Sequence, residues 1–117
     1  MDYETTKLAA DYILKGRDLG LMYDQIEIDN SRDVHDIAYL MSKQNSLLYT
    51  GKYIVEKEYE PGKILFVLKA MKEKLKKTDI YLVCFSCDEE ISEMIDSRLK
   101  NFAHRNSKRV VFLKIKK

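Results

Sequence analysis

One nearly unbroken apolar run, Ile80 to Phe85, constrains this chain more than any other feature. A strand with one wet face alternates apolar and polar residues, whereas a strand apolar at every position is covered on both faces. Strands of that kind belong to parallel sheets with helices above and below. The stretch between this run and a last strand over Arg109 to Ile115 supplies one such helix. Ile91, Met94, Ile95, Leu99 and Phe102 recur at helical spacing over 87–104, and Ser86-x-x-Glu89 has the form of a capping box at its start. Strand, helix and strand with short joins predict a right-handed βαβ crossover in which 80–85 and 109–115 are parallel neighbours.

The rest of the chain fits around that unit. Residues 4–15 predict a helix with Leu8, Ala9, Tyr12 and Ile13 on its core face, stopped by Gly16. A loop to Gly20 leads into a strand over 21–28, with Met22, Asp24, Ile26 and Ile28 on one side. Asn30 reads as an N-cap with Asp33 in the first turn of a helix over 31–44, whose stripe is Val34, Ile37, Ala38 and Met41. Residues 47–59 are rich in β-formers and predict one long strand or two strands turning near Thr50-Gly51. Pro61-Gly62 opens a helix over 62–77 along Ile64, Val67, Leu68, Met71 and Leu75. The fold class expected is α/β, with α+β as the alternative: a single layer of four to five mixed, partly parallel strands with about four packed helices. Its core is expected to include Leu68, Met71, Leu82, Val83, Ile91, Ile95, Val111 and Leu113.

At 117 residues the chain is expected to form one domain, 1–117, which can bury roughly 60–70% of its unfolded surface without a metal or disulfide staple. Apolar residues make up 45% and charged residues 34%, a balance unlike that of disordered chains. The longest apolar runs, Ile64 to Leu68 and Ile80 to Phe85, fall far short of the roughly 20 residues of a membrane span. Met1-Asp2-Tyr3-Glu4 carries acid where a signal peptide carries base. Two nearby cysteines suit a reducing compartment, so a cytoplasmic location is expected, with no membrane partner.

Four patterns bear on chemistry. Cys84-Phe85-Ser86-Cys87, between a strand and a helix, resembles the redox pair of thioredoxin-like proteins. That family also needs a proline on a neighbouring loop, and Pro61 precedes a helix instead; Asp88, Glu89 and Glu90 oppose a thiolate there. Both cysteines are therefore expected to be structural. His35-Asp36 matches the central pair of HD-type phosphohydrolases but has no histidine before it to complete a metal site. The four glycines form no phosphate-cradling loop, so no cofactor is expected. The fourth pattern is acidic. Asp24 on a strand, followed by Val55-Glu56-Lys57-Glu58, resembles the restriction-nuclease-like PD-(D/E)xK core, in which carboxylates hold Mg²⁺ and a lysine steadies the attacking water. That resemblance would make Asp24, Glu56 and Lys57 catalytic. The sequence departs from the family where Glu56 and Lys57 are adjacent rather than spaced, and where a predicted helix separates the acidic strands.

With no complete catalytic set, the sequence points to a non-enzymatic interaction module, such as an inhibitor, immunity-type or adaptor protein, acting on a protein partner through surface shape and charge. A homodimer is compatible with this. The alternative is nucleic-acid binding, with or without Mg²⁺-dependent cleavage. The net charge is only +2, but residues 1–60 carry 7 Lys/Arg against 12 Asp/Glu, and residues 61–117 carry 14 against 7. The candidate partner-binding residues are accordingly the basic group Arg105, Lys108, Arg109, Lys114, Lys116 and Lys117. Tyr49, Tyr53 and Tyr59 with Lys52 and Lys57 form a candidate stacking platform for single strands.

Overall fold

A computed structural model describes residues 2–30, 32–44, 52–55, 69, 80–86 and 88–115. Among them the order is α1 (Tyr3–Asp18), β1 (Tyr23–Ile28), α2 (Arg32–Gln44), β2 (Lys52–Val55), β3 (Ile80–Ser86), α3 (Glu89–Asn106) and β4 (Arg109–Ile115). The strands lie in the order β1-β4-β3-β2. β4 and β3 form the centre, β1 flanks β4, and the short β2 pairs through its backbone along the other edge of β3. As expected, β3 and β4 are parallel neighbours, with Val83 beside Phe112.

The parallel pairing extends further than expected. Every described pair is parallel, not mixed. The physical reason lies in the connections: a helix between two strands carries the chain back to the end where the first strand began. α2 does this between β1 and β2, and α3 between β3 and β4. The helix expected at 62–77 lies outside the described residues except for Lys69, which is helical. The question of one strand or a hairpin over 47–59 lies outside them too, apart from 52–55.

β3 and β4 are covered on both faces, as the apolar run in β3 requires. Tyr81, Val83, Phe85, Val110 and Phe112 pack against Ile95, Leu99 and Ala103 of α3. On the other face, Ile80, Leu82, Cys84, Val111 and Leu113 meet Ala10, Ile13 and Leu14 of α1 and Val34, Ile37 and Met41 of α2. Alternate residues of each strand thus serve opposite layers. Of the expected core, Leu82, Val83, Ile95, Val111 and Leu113 are fully buried, and Ile91 is half-buried against the α3 cluster. Leu68 and Met71 lie outside the described residues.

Three local expectations are corrected. α1 runs through Gly16 to Asp18, and its buried residues are Thr6, Ala10, Ile13, Leu14 and Gly16. Its core face is turned away from Leu8 and Tyr12, both of which are exposed. The capping box does not form: α3 begins at Glu89 itself, with Asp88 at the N-cap position. Glu89 is thereby freed to reach Lys114. At the start of α2 the Asn30 side chain accepts the Arg32 N–H, in keeping with a capping role. Asp33, in the first turn, is buried and accepts the backbone N–H groups of Asp29 and Asn30.

Candidate interaction surface

Two of the residues singled out by charge, Arg109 and Lys114, are buried rather than outward-facing. Arg109 opens β4 beneath α1, and its side chain is 2% exposed. Its Nε donates to the carbonyl of Ile13 at 2.8 Å, Nη1 to the carbonyl of Leu21 at 3.1 Å, and Nη2 to Asp24 Oδ2 at 2.9 Å. The guanidinium therefore joins the end of α1, the loop after it and β1. A reading of Arg109 as an outward partner contact is corrected: three bonds from one planar fork hold it inside.

Gly16 explains how a charged group of that size fits under a helix. A Cβ at position 16 would lie 2.3 Å from Arg109 Nη2 and 2.5 Å from its Cζ. The glycine belongs to the helix and leaves the space that the guanidinium fills.

Asp24 is occupied on both oxygens. Oδ2 takes Arg109, and Oδ1 accepts the Tyr12 hydroxyl at 2.9 Å. That hydrogen bond raises the Tyr12 pKa, because ionisation would place two anions together. The leading acid of the nuclease reading and a leading base of the partner reading thus neutralise each other in one pair. Glu56 and Lys57 lie outside the described residues. Among the described residues, no three His, Cys, Asp or Glu side chains gather closely enough to hold a metal ion.

Lys114 is the second correction. It is buried within β4 and its ammonium pairs with Glu89 of α3, so it does not project toward a partner. Lys116 and Lys117 lie outside the described residues. From the basic group, Arg105 is exposed at the end of α3 and Lys108 is half-buried. Lys108 lines a hollow of 200 Å³ with Arg17, Ser107 and Arg109. Positive charge there is offset by Asp18, 3.3 Å from Arg17 Nη2.

The cysteine pattern is resolved for one partner. Cys84 is fully buried under α1 and α2, and that burial, helped by the charge of Asp33, pushes its thiol pKa up to about 12. A thiolate is disfavoured there, the reverse of a redox-active site. Cys87 lies outside the described residues.

The surface that does stand out was not legible as one. Leu8 is 69% exposed and Tyr12 49%. With Thr5, Ala9, Asp11 and Lys15 of α1 and Ile26 and Glu27 of β1, they line a groove of 570 Å³ between the helix and the edge strand. Among the described residues β1 is an end strand of the sheet, and no described strand pairs with its outer edge. Of the Tyr12–Asp24–Arg109 chain only Tyr12 lines the groove, its hydroxyl anchored to Asp24. A sequence signal existed: α1 carries apolar residues on two faces, Ala10, Ile13 and Leu14 on one and Leu8 and Tyr12 on the other, which is more than a single buried face needs.

No family model, no curated protein and no solved structure matches this chain. Among the described residues no helix is long and apolar enough to cross a membrane.

Proposed function

We infer that the protein is a non-enzymatic interaction module, of the inhibitor, immunity or adaptor kind, that binds a protein partner through the outer face of α1 and the groove beside β1. The observation that carries this is the exposure of Leu8 and Tyr12 along an apolar groove beside β1, an end strand among the described residues. Contiguous uncovered apolar side chains of that size cost solvation free energy in a lone domain and mark contact surfaces. The groove's polar residues, Thr5, Asp11, Lys15 and Glu27, provide the rim that such surfaces have. The chemistry of the site favours binding over catalysis: Asp24 and Arg109 are spent on each other, and Cys84 is held as a thiol.

The test compares affinity capture from the native cell with the wild-type chain, Leu8→Lys, and the pair Arg105→Glu with Lys108→Glu. Leu8→Lys loses the captured protein and the charge reversals keep it. Retention by Leu8→Lys with loss by the charge reversals refutes this surface and favours an anionic partner, nucleic acid included. Binding to nucleic acid would fall steeply with salt, and Mg²⁺-dependent cleavage abolished by Asp24→Ala and Glu56→Ala would restore the nuclease reading.

A further inference from the structure

We propose that the occupant of the α1 face is a second copy of this chain, packed through α1 against α1 in antiparallel orientation about a two-fold axis. The inference rests on the reading of that face as an interface, and goes beyond it by naming the partner.

The argument is the order of side chains along one face of α1. At 100° per residue, Glu4, Leu8, Tyr12 and Lys15 fall within about 80° of one another, opposite the buried set Thr6, Ala10, Ile13 and Leu14. All four are exposed. A two-fold axis between two antiparallel helices pairs residues whose numbers share a common sum. Leu8 with Tyr12 places the axis at position 10, and Glu4 with Lys15 places it half a residue away, a difference of about 0.75 Å of helix rise. One arrangement therefore sets apolar against apolar at the centre and acid against base at both ends. Lys7 and Asp11, which flank this face, pair with each other within the helix at 3.5 Å. The groove beside β1 accepts the apolar side chains that overhang the axis.

Size sets the strength. A helix of 16 residues is about 24 Å long and about 10 Å wide. Contact along one face of it, with the adjoining groove, stays below the roughly 800 Å² per partner of standard stable interfaces. The dimer is accordingly weak and reversible.

Sedimentation velocity on the full chain tests this. The apparent mass rises from 13.8 kDa toward twice that between roughly 5 and 500 μM, the range that brackets interfaces of this size. Leu8→Lys holds the mass at the monomer value throughout. Glu4→Lys and Lys15→Glu each weaken association at least several-fold, since each places like charges at both ends of the interface. The double swap Glu4→Lys with Lys15→Glu restores it. Circular dichroism of each variant verifies that α1 is intact, since the swap reverses charges favourable to the helix dipole. A wild-type chain monomeric at 500 μM overturns the proposal, as does a dimer indifferent to Leu8→Lys or a swap that fails to rescue. If the chain is monomeric and Leu8→Lys still loses the captured cellular protein, the second copy is refuted and the interaction reading stands. If it is monomeric and Leu8→Lys captures the same protein as wild type, both fall.

Discussion

Replacing Gly16 with alanine should destabilise this protein, although the same change inside most helices does the opposite. An interior helical Gly→Ala change gains about 1 kcal/mol from helix propensity. Gly16 sits inside α1 and is buried, so that gain is available in principle. The new Cβ, however, would lie 2.3 Å from Arg109 Nη2. A guanidinium at the end of a free side chain could swing aside, but this one is held by Ile13, Leu21 and Asp24. Moving it breaks at least the bond to Asp24, and a hydrogen bond to a charged group contributes about 1.5–3 kcal/mol. The net expectation for Gly16→Ala is a loss of about 0.5–2 kcal/mol.

The decisive feature of that prediction is a change of sign. Arg109→Ala alone should cost about 3 kcal/mol, at the lower end of the range for breaking a buried ion pair because Asp24 is 21% exposed. In that background nothing opposes the alanine at 16, and Gly16→Ala should stabilise by up to about 1 kcal/mol. The coupling between the two sites is then about 1.5–3 kcal/mol. Urea unfolding followed by circular dichroism measures all four corners of the cycle, with stability read from midpoint and slope. If Gly16→Ala raises the midpoint in the wild-type background, Arg109 is not packed against position 16 and the account of the α1–β4 junction is wrong.

Three further outcomes are expected. In a Cys87→Ser background, Cys84 should resist an aromatic disulfide reagent at pH 8 until urea unfolds the chain, because burial keeps it a neutral thiol; rapid labelling of the native protein would contradict its place under α1 and α2. Leu82→Ala, at a fully buried position on β3, should cost about 2–5 kcal/mol in the same urea assay, and a loss under about 1 kcal/mol would mean the site is not the core described. Asp2 caps α1 by accepting the Thr5 N–H at 2.8 Å, which holds its carboxyl pKa below the ordinary value. A depressed pKa gives stability that is present above the unfolded pKa and lost as pH falls through the folded one. The stability gap between wild type and Asp2→Asn should therefore be constant above about pH 5 and shrink below about pH 4; a gap that widens on acidification would reverse the assignment.

The parts of this fold that were legible in the sequence are those where one residue type has one meaning. The apolar run at Ile80–Phe85 leaves a strand no wet face, so its burial and its parallel neighbour followed directly. Charged residues are different, because their burial depends on partners far along the chain. Arg109 looks like a surface cation until Ile13, Leu21 and Asp24 are brought around it, and those lie 85 to 96 residues away. Gly16 reads as a helix stop for the same reason: its use is to leave room for a side chain from β4. Ser86-x-x-Glu89 has the spacing of a capping box, but the chain extends two residues further before α3 begins, and Lys114 claims the glutamate. On α1 the apolar pattern has two solutions. Helical spacing selects Leu8 and Tyr12 as readily as Ala10 and Leu14, and only packing against α2 and the sheet decides which face is buried. The face left over is the candidate surface, so the ambiguity of α1 and that of the site have one physical cause.

The central claim is that the outer face of α1 is where this protein meets its partner. The most direct measurement places a photo-crosslinking phenylalanine at position 8 in one variant and at position 105 in another, each expressed in the native cell and irradiated there. Position 8 lies on the exposed α1 face and position 105 at the exposed end of α3. The account predicts a discrete protein adduct from position 8 and none from position 105. Its mass and peptides identify the partner, a second copy included. An adduct from position 105 with none from position 8, or crosslinking to nucleic acid alone, would contradict it.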